Sequence, residues 1–456
     1  MEPGDRPSKG SRAGPDIAPV PNAPLLNRVL LSNLLALLAG LLPIVLYWAH
    51  VGREPSVSVA EARAALAQTP ASVLVMDIRP AATSAARPIP GAVSIPFDTL
   101  LTMTSAAELP PGVSGKRLLV ICETGIKAAA AVRWLRGLGL RDAKRVSGGM
   151  ESWQAYGDGR ESATPLRPMS LFEQWLAVLV AFGVKPIYML LTFVLIVWLW
   201  RQRATDLVFL RWGLIWFWIG ETGCSIDYLF YARGSDFWEY FHGFGMAAGF
   251  AFIAFAALEG IDIRVIKFSP AKERCAVLGL CRACMKTTDV PCALKRLFAL
   301  MIPALAVVAL MPLTGGFITG SYDAVILGTR THYLHLMTSQ LFELRFCPLL
   351  AAGLLAASWL VLMLKRRDPV PASKAILAAG LGPMGFGILR LVFVATFRDR
   401  LVWFDAWEEL TELVAVFGIA AVLWVFRQSL FSPRRPVSAG RDLIPQDRRA
   451  PVAPAR

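Results

Sequence analysis

The sequence predicts a polytopic α-helical membrane protein of about eight spans, with an α/β domain inserted between the first and second spans. Three observations carry this prediction: long apolar runs, basic residues gathered at the ends of those runs, and one interval, residues 52–168, where the composition becomes that of a soluble domain. Of the 456 residues, 55% are hydrophobic and the mean hydropathy is +0.51, too apolar for a soluble globular chain. A formal charge of +14 raises the question of nucleic acid. The basic residues sit in short segments beside apolar runs, the distribution of membrane-flanking charge, so the expected partner is the lipid bilayer and not nucleic acid.

The apolar runs lie at 28–50, 184–201, 206–230, 238–258, 296–313, 341–364, 373–396 and 401–426, each long enough to cross a bilayer core. The stretch LFEQWLAVLVAFGV, ahead of Lys185-Pro186, reads as an interfacial or broken start to the second run. Run one follows a long Pro-rich leader and no small-x-small cleavage site follows it, which favours a retained anchor over a secretion signal. Basic clusters fall before run one, between runs two and three, after run four, after run six and after run eight. With eight spans all of them share one side, which the positive-inside rule makes cytoplasmic. The expected organisation is therefore a disordered cytoplasmic leader (1–27), an anchor (28–50), an outer domain (52–168), a multi-span domain (170–427) with a cytoplasmic Cys-rich loop (259–295), and a disordered basic tail (428–456), in a bacterial inner membrane.

Within the outer interval SVLVMDI, GAVSIPF and RLLVIC read as strands, and VAEARAALA and IKAAAAVRWLRGL as helices. Such alternation implies a parallel sheet with flanking helices. Cys122 stands where the strand RLLVIC passes into the helix, on the loop CETGIK. A cysteine there meets unpaired backbone N–H groups and the positive end of a helix dipole. That setting lowers a thiol pKa and holds an anionic sulfur, so Cys122 is expected as thiolate or persulfide. Gly125 lets the loop curl its amides inward. Lys127 and Arg79 add positive charge, or Arg79 braces the loop by pairing with Asp77. A buried structural cysteine is the plainer alternative. Cys122 is the interval's only cysteine, so no internal disulfide can block it in an oxidising compartment.

Four motifs occur in order: Asp77-Ile78-Arg79, Ile89-Pro90-Gly91-Ala92 before Ile95-Pro96, the Cys122 loop, and Gly148-Gly149-Met150 with Trp153. By these, residues 56–157 resemble a rhodanese (sulfurtransferase) domain. The resemblance implies that Cys122 takes sulfane sulfur from thiosulfate or a persulfide and yields it to a nucleophile. It implies catalytic roles for Cys122, Lys127, Gly125, Arg79 and Asp77, and substrate contacts from Glu123, Thr124 and Ile126. It does not extend to the spans.

The spans carry ionisable residues toward their outer ends, where unpaired charge is costly and tends to be functional. Glu221, Cys224 and Tyr228 share a helical face, as do Glu239, His242 and Met246. Span eight opens with Asp405, Glu408, Glu409 and Glu412, and Arg345 and Arg390 lie nearby in spans six and seven. Three readings compete. Two histidines could hold a haem; Glu239-x-x-His242, with Glu221, His332 and His335, resembles a carboxylate-bridged metal site; or these residues form a salt-bridged belt with Arg345 and Arg390. Cys224 could accept sulfur from Cys122 or simply pack in its helix, and Cys347 reads as packing. In the inner loop Cys275, Cys281, Cys284 and Cys292 are spaced C-x5-C-x2-C-x7-C, a set that in a reducing compartment suits zinc or an iron–sulfur cluster. Glycines around Pro383 in span seven suggest either a broken helix at a substrate site or close packing through small residues. Together these predict a membrane-bound sulfurtransferase that hands sulfane sulfur, or its electrons, to a membrane-embedded site and an unidentified redox or acceptor partner. A transporter of a sulfur species and a persulfide sensor acting through the inner loop are the alternatives.

Overall fold

The computed structural model describes residues 23–155, 167–231, 236–266, 293–315, 322–333, 341–364, 369–397 and 400–431. Helix α1 (Ala23–Tyr47) ends in a π turn, Trp48–Gly52, and leads directly into the α/β domain. There β1 (Ser56–Val57), α2 (Val59–Gln68), β2 (Val73–Asp77), α3 (Ala81–Ala86), β3 (Val93–Ser94), α4 (Phe97–Thr102), β4 (Arg117–Ile121), α5 (Ile126–Gly137), β5 (Lys144–Val146) and α6 (Gly149–Ala155) follow in order. The five strands form one parallel sheet in the order β1-β5-β4-β2-β3. Leu118 and Val120 of β4 enter one apolar cluster with Met76 of β2 and Ala128, Val132 and Leu135 of α5. Leu119 and Ile121 enter the other, with Val73 and Val75 of β2 and Val59 and Ala62 of α2. Both faces of the sheet are thus covered, which is why LVMDI and LLVI read as unbroken apolar runs. Helix α2 starts on a capping box in which Ser58 Oγ accepts from the Glu61 N–H at 3.2 Å and Glu61 Oε2 accepts from the Ser58 N–H at 2.8 Å. The two- and three-residue strands β1 and β5 carry too little apolar pattern to be seen in the sequence.

The remaining helices are α7 (Leu171–Leu179), α8 (Lys185–Leu199), α9 (Thr205–Tyr231), α10 (Asp236–Gly260), α11 (Ala293–Val308), α12 (Leu341–Leu364), α13 (Val370–Phe397), α14 (Leu401–Val425) and α15 (Arg427–Phe431). Among the described residues six helical segments are long and apolar enough to cross a membrane: Val29–Gly52, Leu171–Leu199, Phe237–Arg264, Leu297–Thr314, Phe342–Leu364 and Val370–Phe397. Helices α9 and α14 occupy the two further runs in which spans were expected and are not among these six.

Three details differ from the sequence reading. The segment before Lys185 does not break the second run: α7, a π turn at Val180–Val184 and α8 form one helix, which carries Lys185 in its interior. Pro186 stands in the first turn of α8, where its missing N–H and its ring are absorbed by the π widening. Helix α13 likewise runs through Pro383 without a break; a Cβ on Gly382 would lie 2.4 Å from the Ala247 carbonyl oxygen of α10, and one on Gly387 3.0 Å from the Glu343 carbonyl oxygen of α12, so these two glycines serve close helix packing. Finally, β6 (Tyr322–Ile326) and β7 (Thr329–Tyr333) pair as an antiparallel hairpin where a loop was expected, turning through Leu327 and Gly328, both at positive φ.

Helices α9 and α10 cross at glycines. A Cβ on Gly245 would fall 2.5 Å from Gly220 Cα and 2.8 Å from the Trp216 carbonyl oxygen. Gly245→Leu is expected to force the two helices apart and destabilise the protein by about 1–3 kcal/mol, seen as a lowered melting temperature of the detergent-solubilised chain.

Candidate functional site

Cys122 follows the last residue of β4, and its Sγ accepts hydrogen bonds from the N–H groups of Gly125 at 3.1 Å and Ala128 at 3.3 Å. The Thr124 and Lys127 amides act on the same atom. This is a main-chain anion cradle at the start of the twelve-residue helix α5. Gly125 stands at φ +81° as the residue before α5, the left-handed conformation that turns its N–H toward the sulfur. The Gly148-Gly149-Met150 motif closes the loop from behind. A Cβ on Gly149, itself at φ +61°, would lie 2.4 Å from the Cys122 carbonyl oxygen and 2.5 Å from Gly125 N. The Met150 N–H donates to that same carbonyl at 2.7 Å.

The expectation of a ready thiolate is corrected in one respect. Cys122 is only 3% exposed, and burial pushes its thiol up, outweighing the amide donors that favour the anion. The cradle is shaped for a charged sulfur, but the resting thiol keeps its proton more tightly than a free cysteine.

The neighbours divide into those that touch the sulfur and those that hold the loop. Arg79 is bracing: its Nε donates to Asp77 Oδ1 at 3.0 Å and its Nη2 to Asp77 Oδ2 at 2.7 Å and to the Arg87 carbonyl at 2.7 Å. Burial alone would raise the Asp77 carboxyl, but hydrogen bonds from Arg79 and Ser84 hold it below the usual carboxylate range. Lys127 sends its exposed ammonium over the Phe97 ring, 5.7 Å from the centroid, and offers the sulfur its backbone. Glu123 is held by Arg87, whose Nη2 lies 2.6 Å from Oε1. Arg87 lies outside the four sequence motifs, so no local pattern singles it out. Ile126, partly buried, packs against the cluster of the helix bundle that contains Tyr47 and Val51. Ala129 joins the same cluster, and Arg133 donates to Glu54 Oε1 at 2.8 Å. The helix that cradles the sulfur is therefore seated on the end of α1.

Inside the bundle the structure brings together residues that the sequence left apart. Lys185 Nζ lies 2.5 Å from Glu221 Oε2 and 2.9 Å from Glu409 Oε1. Tyr188 reaches both carboxyls, and Glu412 completes the group. His242 Nδ1 is 3.5 Å from Glu221 Oε1 and 3.2 Å from the Gly220 carbonyl oxygen. Arg390 pairs with Glu343 and, at 3.2 Å, with Glu408. Ion pairs thus gather around Lys185 and Arg390, where the belt was expected around Arg345 and Arg390. Arg345 instead donates to the Pro312, Leu313 and Gly315 carbonyls at 2.9–3.2 Å. Glu239 is buried at the start of α10. Lys185 is hidden in the sequence because Lys-Pro reads as a break; the available signal is an apolar helix pattern continuing on both sides of it.

For a metal, Glu221, Glu409 and Glu412 bring carboxyl oxygens within 4.8 Å of one another; the Lys185 ammonium contacts Glu221 Oε2 and Glu409 Oε1, while Glu221 Oε1 and Glu412 Oε2 are buried without a hydrogen-bond partner among the described residues. Cys224 lies within electrostatic reach of Lys185 and Glu221, and Cys347 is buried in the bundle core. Cys275, Cys281, Cys284, Cys292 and His335 lie outside the described residues; His332 falls on β7, its side chain outside them.

Residues 58–156 match the family model of the rhodanese-like domain, and this segment of the chain is such a domain. Among solved structures, a protein of unknown function from Rhodopseudomonas palustris CGA009, described as a possible tyrosine phosphatase, is 23% identical, with 23% of this chain and 83% of that chain covered and a TM-score of 0.22. No curated protein matches the chain.

Two outcomes follow from this geometry. Gly149→Ala is expected to distort the loop and destabilise the domain by about 1–3 kcal/mol, with a matching loss of Cys122 reactivity in a labelling assay. Alkylation of Cys122 by iodoacetamide is expected to run slower at pH 7 than that of a free cysteine. Because its raised pKa delays thiolate formation, the rate should keep climbing beyond the ordinary thiol range of about 8.5, as read by peptide mass mapping across pH.

Proposed function

We propose that the protein is a membrane-bound sulfurtransferase in which Cys122 carries sulfane sulfur. The observation that carries this reading is the convergence of main-chain N–H groups on Cys122 Sγ within a rhodanese-like domain. In the first step the Cys122 thiolate attacks the sulfane sulfur of a thiosulfate or persulfide donor. A new S–S bond forms on Cys122, the donor's S–S bond breaks, and its electron pair leaves with the departing sulfite or thiolate. In the second, an acceptor thiolate attacks the outer sulfur and Cys122 departs as a thiolate. The persulfide carries the negative charge on its outer atom, and the cradle's amides and the α5 dipole favour an anion there.

The membrane part supports an acceptor or partner near the bundle. Ile126 and Ala129, on the helix that begins at the sulfur loop, pack on the end of α1, so sulfur loaded on Cys122 stays beside the helices. Large apolar side chains such as Leu190, Phe193, Val197, Leu300, Val307, Val414 and Phe417 point outward from the helices, which supports a lipid-facing surface. With both α9 and α14 as spans, the positive-inside rule puts the rhodanese-like domain outside the cytoplasm.

Incubating the intact protein with thiosulfate or a low-molecular-weight persulfide should add the mass of one sulfur atom to the Cys122 peptide, and cyanide or a thiol should remove it. Cys122→Ser should abolish both the adduct and sulfur transfer while leaving the melting temperature nearly unchanged. A wild-type protein that never acquires the adduct would overturn the proposal.

A further inference from the structure

The charges and protons inside the bundle do not balance as drawn. Carboxyl oxygens of Glu221, Glu409 and Glu412 lie within 4.8 Å of one another, and Lys185 is the ammonium that contacts Glu221 and Glu409. Fully ionised, three carboxylates against one ammonium would leave two uncompensated negative charges in an apolar bundle, a costly arrangement. Tyr188 gives an independent count. Its hydroxyl oxygen stands 2.7 Å from Glu221 Oε2 and 2.6 Å from Glu409 Oε2, yet a phenol has one proton to donate. The second short O···O contact requires a proton supplied from the carboxyl side. Glu412 Oε2, like Glu221 Oε1, is buried and meets no hydrogen-bond donor among the described residues, so the group as a whole has fewer donors than three carboxylates require.

Lys185 is nearer to Glu221 than to Glu409, and the Glu221 side chain is wholly buried, so the ion pair is assigned to Lys185 and Glu221. We propose that Glu409 and Glu412 of α14 form a proton-binding site inside the helix bundle, each carrying one proton when Lys185 and Glu221 are paired. Glu409 then donates to the Tyr188 oxygen, Tyr188 donates to Glu221, and the group sums to zero charge. The surrounding titratable groups are Lys185 and Tyr188 on α8, Glu221 and Cys224 on α9, Glu239 and His242 on α10, and Glu408 on α14. Beyond Glu408, Arg390 of α13 joins it to Glu343 of α12. His242 Nδ1 lies 3.5 Å from Glu221 Oε1. The ligand argued for is the proton, since the Lys185 ammonium already lies against Glu221 Oε2 and Glu409 Oε1 and the Tyr188 contacts need a proton from a carboxyl. This inference is independent of the sulfur chemistry: it needs no persulfide on Cys122.

The test is labelling of the full-length protein in membrane vesicles with dicyclohexylcarbodiimide, which couples to protonated carboxyls in apolar surroundings, followed by peptide mass mapping. The expected result is an adduct on the peptide holding Glu409 and Glu412 that fades as pH rises and is lost in the Glu409→Gln/Glu412→Gln double variant. An infrared difference spectrum between acid and alkaline pH provides the second readout, with a protonated-carboxyl band in the wild type that the double variant lacks. Because glutamine resembles the protonated acid, the double variant should keep the wild-type melting temperature, whereas Glu221→Gln, which strands Lys185, should lower it. Either the adduct or the band with the stated pH dependence supports the site. Absence of both in folded protein overturns it, as does an adduct that sodium ions suppress at constant pH, which would assign the site to a metal cation.

Discussion

An ammonium inside an apolar helix bundle cannot stand alone, and much of the membrane part is arranged around that requirement. Lys185 draws Glu221 from α9 and Glu409 from α14 into contact with α8, so two successive helices and one distant in sequence are registered against one another by charge. Packing alone would allow such helices to slide or rotate at little cost, since lipid-facing and core-facing apolar side chains are chemically alike. Arg390 imposes a similar constraint by joining α13 to α12 and α14. At the other end of the bundle Lys374 holds Asp262 at 2.7 Å as well as Glu259, and Arg264 holds Asp206. Arg264, just past the end of α10, is in this way partly neutralised.

The sulfur site obeys the opposite rule. Its polar partners are main-chain groups whose positions are fixed by a strand end, a helix start and two glycines, and the ionic residues nearby hold the backbone and leave the sulfur to the amides. Arg79 and Asp77 form a buried pair that also grips the Arg87 carbonyl, while Arg87 restrains Glu123. The result is a loop with little freedom to reshape around a donor, so its selectivity rests on the size and charge of what can reach a sulfur that is only 3% exposed. Seating α5 on the end of α1 joins this rigid loop to the bundle through Ala129, Ile126 and the Arg133–Glu54 ion pair.

Some of this is legible in the residues. The strands β2 and β4, the helix α5 and the Cys122 loop announce themselves because buried parallel strands are apolar without interruption and the following helix is rich in alanine. The glycines of GGM are visible as a motif, but their purpose is not, because the backbone they make room for lies more than twenty residues earlier. Lys185 is obscured for a physical reason: proline after lysine ordinarily ends a helix, and only a π turn, which has no sequence signature here, lets the helix continue.

The sequence by itself indicated the long apolar helices, the α/β domain and the cysteine proposed to carry the chemistry, since hydrophobic periodicity and local loop chemistry are written in consecutive residues. Tertiary structure decided which charges meet across helices, which arginine braces and which lysine only lends its backbone, and how tightly the thiol holds its proton. Those outcomes depend on distance and burial between segments far apart in the chain, which no local pattern encodes.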